Sequence, residues 1–167
     1  MLDQHASLCD SFRWQVPANF NIGQECCHRW TSSSADARRI ALFTESANSG
    51  RNVWTYERLG ATANQLSNGL LKMGVKRGDR VALLMSQRAE AIAAHIAIYS
   101  IGAVVLPIST QLPPKAIEYR LRDAEARVAF LDAQGATNLL PILHRCHKLT
   151  QLVGIDVADD RVLPWRS

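Results

Sequence analysis

The sequence predicts an α/β domain: an open, mostly parallel sheet with helices on both faces and a β-hairpin ahead of it. Three observations carry this. Apolar runs without alternation recur at 81–85, 103–108, 128–131 and 152–155, and such strands are buried on both faces, as in a parallel sheet. Helical segments alternate with these runs, which argues for right-handed βαβ crossovers. Gly74 and Gly102 each fall where a helix must stop before the next strand starts, the usual place for a left-handed residue.

Residues 1–22 show no sustained period and hold Trp14, Pro17 and Phe20. They read as an arm lying across another surface. Ile22, Cys26 and Trp30 recur at helical spacing, so 22–31 predicts a short helix with Asn21 as N-cap. Ser32 to Asp36 reads as a polar break. The expected division is therefore an arm with a short helix at 1–36 and an α/β subdomain at 37–167.

Strands at 40–44 and 52–55, joined by the turn chemistry of Asn48-Ser49-Gly50, make the hairpin. Thr55 then caps the clearest helix. Leu59, Ala63, Leu66, Leu70 and Met73 form one apolar stripe along it, Gly74 ends it, and Val75 is placed to pack back on Leu70. The strand at 81–85 follows. Ser86 is expected to cap a second helix reaching Ile101, whose body is small: Ala89, Ala91, Ala93, Ala94 and Ala97. Small side chains let a helix lie close to a sheet. The strand after Gly102 is expected to be buried and to end at Pro107, which has no N–H for a ladder. Pro113-Pro114 start a third helix, where proline costs no hydrogen bond, with Ile117 and Leu121 inward. A helix over 135–146 is expected to kink or break at Pro141, and a strand follows at 152–155.

At 167 residues the chain is one domain by length, able to bury roughly 70% of its unfolded surface. The formal charge of +4 is spread over scattered basic residues. No basic stripe with interleaved aromatics points to nucleic acid. The first fifteen residues lack the apolar core of a signal peptide, and no apolar run reaches the ~20 residues of a membrane span. Four cysteines, two of them adjacent, fit free thiols in a reducing cytoplasm.

Candidate chemistry is sparse. Cys26-Cys27-His28 and His144-Arg145-Cys146-His147 have poor spacing for tetrahedral zinc, and no metal is assigned; Cys26 is expected to be buried and the rest to lie on the surface. His95 reads as a helix-face histidine without a nucleophile beside it. Asp123 and Asp132 read as single carboxylates in turn or cap roles. No catalytic residue is assigned.

Several strings nonetheless stand in a telling order. Phe12-Arg13-Trp14-Gln15-Val16-Pro17, Thr55-Tyr56, Gly78-Asp79-Arg80-Val81, Gly102-Ala103-Val104-Val105-Leu106-Pro107 and Tyr119-Arg120-Leu121-Arg122-Asp123 run through nearly the whole chain. Together they resemble the N-terminal part of the acyl-CoA synthetases, in the medium-chain and acetyl-CoA synthetase branch of the adenylate-forming ligases. The resemblance implies a partial N-terminal domain of an enzyme that joins a fatty or other carboxylate to CoA, using ATP and Mg and releasing AMP and pyrophosphate. It also implies that the loop after the second buried strand, Ser109-Thr110-Gln111, lies near CoA, although the family often has glycine there.

The family's Ser/Thr/Gly-rich phosphate loop, its ribose-binding Asp and its late catalytic Lys have no counterpart here. The expectation is a chain cut naturally or by design, matching the first quarter to third of a synthetase. It is expected to bind no cofactor of its own and to be an inactive scaffold, since nothing in it cradles a triphosphate. Its partners are then the rest of the synthetase, or further copies through exposed apolar surface. The alternative is a stand-alone CoA-binding or protein-interaction module.

Overall fold

The computed structural model describes residues 4–15, 17–46 and 50–165. A two-stranded antiparallel sheet pairs β1 (Ile40–Ser46) with β2 (Gly50–Thr55), and a five-stranded parallel sheet has the order β4-β3-β5-β6-β7, from Val104–Pro107, Arg80–Leu84, Val128–Leu131, Gln151–Gly154 and Val162–Pro164. Of the expected hairpin turn, Asn48 and Ser49 lie outside the described residues. The parallel sheet and its helices on both faces match the fold class read from the sequence.

The two faces are separate cores because successive strand residues point opposite ways. Ala82, Leu84, Ala129, Leu131 and Leu152 face one side. There they meet Ile117 and Leu121 of α6 (Pro114–Asp123), Leu139 of α7 (Ala133–Leu139), and Ile142. Val81, Leu83, Val128, Phe130 and Val153 face the other side, against Leu70 of α4 (Tyr56–Lys72) and Ala94 and Ile98 of α5 (Ala89–Ser100). A third cluster joins Trp54 of the hairpin to Leu59 and Ala63 of α4, Ala93 and Ala97 of α5, and Cys27.

The clearest expected helix forms as read. The Thr55 hydroxyl accepts from Arg58 N–H at 3.2 Å. At the far end Gly74 has φ +79, with Gly74 N–H on Leu71 O and Val75 N–H on Leu70 O, the paired bonds of a Schellman stop. Gly102, at φ +70, ends α5 in the same manner. The Gly78-Asp79-Arg80 string has a structural role too: the Asp79 carboxylate accepts from Lys76 N–H at 2.9 Å and pairs with Arg127 at 3.1 Å.

Several expectations are corrected. Residues Gln4–Ser11 form an exposed helix, α1, within the stretch read as aperiodic. The helix from Ile22 stops at Cys26 (α2), still capped by Asn21, and continues as a 3₁₀ turn over His28–Thr31. The break at Cys27 rotates the stripe, so Ile22 and Cys26 are exposed while Cys27 is fully buried. Cys146 is buried as well, and His28 half-buried. The polar break contains a short helix, α3 (Ser34–Ala37), capped by Ser33. Strand β4 is an edge strand and half-exposed, not buried on both faces. It does end at Pro107. Val104 N–H donates to Asp79 O, just ahead of β3, and Ile108 N–H to Leu83 O within it, so by alternation Pro107 stands at an outward position, where no donor is needed. Helix α7 gives way at Leu139 to a 3₁₀ turn over Leu140–Arg145, next to Pro141. Strand β7 was not expected; its short run carries no period.

Candidate functional site

The strand order reverses between β3 and β5. The chain leaves β3 toward β4 on one side, then crosses back to place β5 on the other. The helices after β3 and β5 sit on opposite faces. In open α/β sheets the crevice at such a reversal, beyond the strand C-termini, is where ligands bind.

Here the crevice is spanned by a carboxylate. Asp132, 5% exposed, follows β5 and accepts from Ser86 N–H at 2.7 Å, Ser86 Oγ–H at 2.6 Å and Gly135 N–H at 2.9 Å. Burial pushes the Asp132 carboxyl up, but the Ser86 and Gly135 donors and the nearby Arg88 charge outweigh it, so it lies below the usual carboxylate range. Asp132 is thus the N-cap of α7 and the anchor of the loop after β3. Ser86 is not the cap of α5: that position is Arg88, whose side chain makes no cap bond. Instead Arg88 pairs with Glu90 at 2.9 Å and reaches Asp156, beyond β6, at 3.8 Å. Sequence reading gave Asp132 its cap role but missed its grip on Ser86 and the part played by Arg88. An Asp with Gly three residues on was the available signal.

This constellation does not make a nucleophile. The Ser86 proton is committed to a carboxylate held well ionised, which is a weak base. His95 lines a neighbouring cleft of about 490 Å³ between the hairpin and α5, which Ser86 also borders, but its Nδ1 donates to Ala91 O at 2.8 Å. It is half-buried on a helix face, as read.

The Ser109-Thr110-Gln111 loop leaves β4 at the same end of the sheet. Ser109 Oγ accepts from Gln111 N–H at 3.2 Å, and Asn138 of α7 donates to Thr110 O at 2.7 Å. Ser109 and Gln111 are exposed. The loop is held in shape by its own bonds and presents two polar side chains outward.

The residues do not fit a magnesium–nucleotide site. The glycines with positive φ (Gly50, Gly74, Gly78 and Gly102) stand singly at turns, whereas a phosphate cradle needs successive N–H groups converging on one point. Among the described residues no three His, Cys, Asp or Glu side chains converge, and no helix is long and apolar enough to cross a membrane. Cys27 and Cys146 belong to different core clusters.

Comparison with known proteins gives a consistent family. Residues 30–166 match the family described as AMP-binding enzyme. The chain is 27% identical over 149 residues to mouse acyl-coenzyme A synthetase ACSM3, mitochondrial, covering 87% of this chain and 26% of that protein. It is 35% identical over 118 residues to the acetyl-coenzyme A synthetase of Magnetococcus marinus, covering 70% and 18%. Among solved structures, the anthranilate CoA ligase AuaEII in complex with anthranoyl-AMP superposes with a TM-score of 0.74 at 29% identity, over 84% of this chain and 26% of that one. A Brucella canis acyl-CoA synthetase shares the fold at a TM-score of 0.76 and 23% identity, over 95% and 29%. The chain spans about a quarter of the length of the ACSM3 relative. It belongs to the AMP-binding enzyme family, and these relatives are acyl-CoA synthetases and ligases.

Proposed function

We propose that this member of the AMP-binding enzyme family supplies the N-terminal scaffold of an acyl-CoA ligase and performs no adenylation by itself. The observation that supports it most is the state of the switch-point crevice: Asp132 spans it with bonds to Ser86 and Gly135, and no glycine cluster stands beside it to receive a triphosphate. The whole enzyme's reaction, in this reading, joins a carboxylate such as a fatty acid to CoA. The carboxylate attacks the α-phosphate of ATP, and the CoA thiolate then displaces AMP. Residues beyond this stretch would hold ATP and Mg. This chain's own contribution is positional: paired strands, a fixed Ser86 loop, and the Ser109-Thr110-Gln111 loop offered to CoA. Residues 1–36 act as an arm on the 37–167 subdomain, and the free thiols fit the cytoplasm.

The alternative is a stand-alone CoA-binding or protein-interaction module. The exposure of Phe12, Trp14, Phe20 and Phe43 favours a surface that something covers, either the rest of a synthetase or another copy. A thermal-shift series with CoA, ATP and AMP separates the readings. No shift with ATP or AMP fits the scaffold. A shift with CoA alone, abolished by Ser109→Trp, supports the loop assignment and the module. Stabilisation by ATP alone overturns both.

A further inference from the structure

The docking of α2 and the His28–Thr31 turn onto the body of the domain has a feature that the scaffold role does not use. Gly23 lies so close to α5 that a Cβ there would collide with Ser100 Oγ and would sit 2.9 Å from Ile96 O. Asn21 Nδ2 donates to Ser100 O at 3.0 Å. His28 Nε2 lies 2.9 Å from Ser100 Oγ, and Ser100 in turn donates to Ile96 O at 2.7 Å. Because the serine's only hydrogen is committed to that carbonyl, Nε2 must carry the proton and donate. The neutral ring's bare nitrogen is then Nδ1. It faces Gly60 of α4, 3.7 Å from the position a Cβ would take there.

We propose that His28 is a proton-sensitive latch: neutral, it helps hold the N-terminal layer on α4 and α5, and protonated on Nδ1, it loosens that hold. A second proton would have to go on Nδ1, where the charge meets a helix surface and no carboxylate. Asp36 of α3, which packs on the His28–Thr31 turn, pairs with Arg39 at 3.4 Å. Around the ring, from α5 come Ser100 and Ile96 O, from α4 Gly60 and Asn64, and from the α2 region Asn21 and Gln24; none titrates in this range. Cys27, beside the same Gly60, has its thiol pushed up to about 11 by burial and stays neutral. The neighbouring charges, Glu25 and Arg29, pair with each other at 2.7 Å. Among the described residues no acid pairs with His28. Protons reach the ring through the open cleft lined by Asn21, Gln24, Thr31 and Asn64.

Burial also lowers the affinity of the docked ring for a proton, which fixes the sign. An undocked histidine titrates at about 6.5. Below that pH the undocked state binds a proton that the docked state refuses. The ring's contribution to docking is therefore fully present above about pH 6.5 and is lost as pH falls through the lowered value.

Amide hydrogen exchange of the full chain tests this, with rates corrected for the intrinsic effect of pH. Protection over 22–31 should fall about threefold or more from pH 7.5 to 5.5, while α6 and β5 hold steady. His28→Gln keeps an N–H for Ser100 but cannot titrate, and its protection should be flat over that range. The same loss of protection in His28→Gln overturns the proposal. Should that variant fail to dock at pH 7.5, the wild-type His28 ring resonance decides: a titration midpoint below 6.5 supports the latch, and one at or above 6.5 overturns it.

Discussion

Ser86 and Asp132 are 46 residues apart in the chain and 2.6 Å apart in space, and their bond ties the loop after β3 to the start of α7 across the reversal in strand order. One buried carboxylate thereby takes up three donors: two from Ser86, which is exposed, and the buried Gly135 N–H, whose partner water could not replace. Leaving such groups unpaired costs far more than their bonds contribute when made.

Asp132→Ala should therefore destabilise the domain by about 2–3 kcal/mol, read from urea denaturation at pH 7, with Asp132→Asn losing less. The pH dependence has a definite sign. The folded carboxyl sits below its unfolded value, so its contribution is complete above about pH 4 and drains away as pH falls further. A wild-type acid transition no steeper than that of Asp132→Asn would contradict this.

Two glycines should respond in opposite directions to alanine. A Cβ at Gly135 would run into the Leu84 carbonyl oxygen, because α7 lies directly on the end of β3. Gly135→Ala should cost at least about 1–3 kcal/mol. At Gly69, within α4, a Cβ meets nothing within 4 Å, and Gly69→Ala should stabilise by about 0.5–1 kcal/mol. Thermal melts of the pair check both, and equal shifts would refute the packing described.

Those contrasts mark what the sequence could reveal. Thr55, the stripe from Leu59 to Met73, and Gly74 were legible because each acts within its own helix. So was the parallel sheet, whose strands repeat apolar residues without alternation. The partner of Ser86 was not legible, since a serine before a helix looks like a cap and only the sheet brings Asp132 to it. The burial of Cys27 was hidden by the single irregular residue that turns α2 into a 3₁₀ helix. The exposure of β4 followed from strand order, which no local pattern encodes. For the Ser109-Thr110-Gln111 loop, the sequence offered a position and the fold adds bonds that hold it in shape.

The cysteines should divide into two kinetic classes. Cys9 and Cys26 are exposed, and Cys27 and Cys146 are buried with their thiols raised by desolvation. Pulsed alkylation at pH 8 followed by peptide mass analysis should label the first pair at least about tenfold faster, since only the accessible thiolate reacts. Rapid labelling of Cys146 would argue against the packing of the α6–α7 face.

Self-association should accompany the exposed apolar residues. Trp14 is 83% exposed, with Leu8, Phe12 and Phe20 also largely uncovered, a greater concentration than isolated surface apolar residues require. Sedimentation velocity over a concentration series should show oligomers that diminish in Trp14→Ser. A monodisperse monomer at high concentration would remove this expectation.

Pyrophosphate exchange into ATP puts the scaffold reading most directly at risk. The purified chain, supplied with Mg and with acetate, butyrate, hexanoate or benzoate in turn, should give no exchange above a protein-free blank. Carboxylate-dependent exchange retained after rigorous purification would mean that these residues form a working adenylation centre, and the account would be wrong.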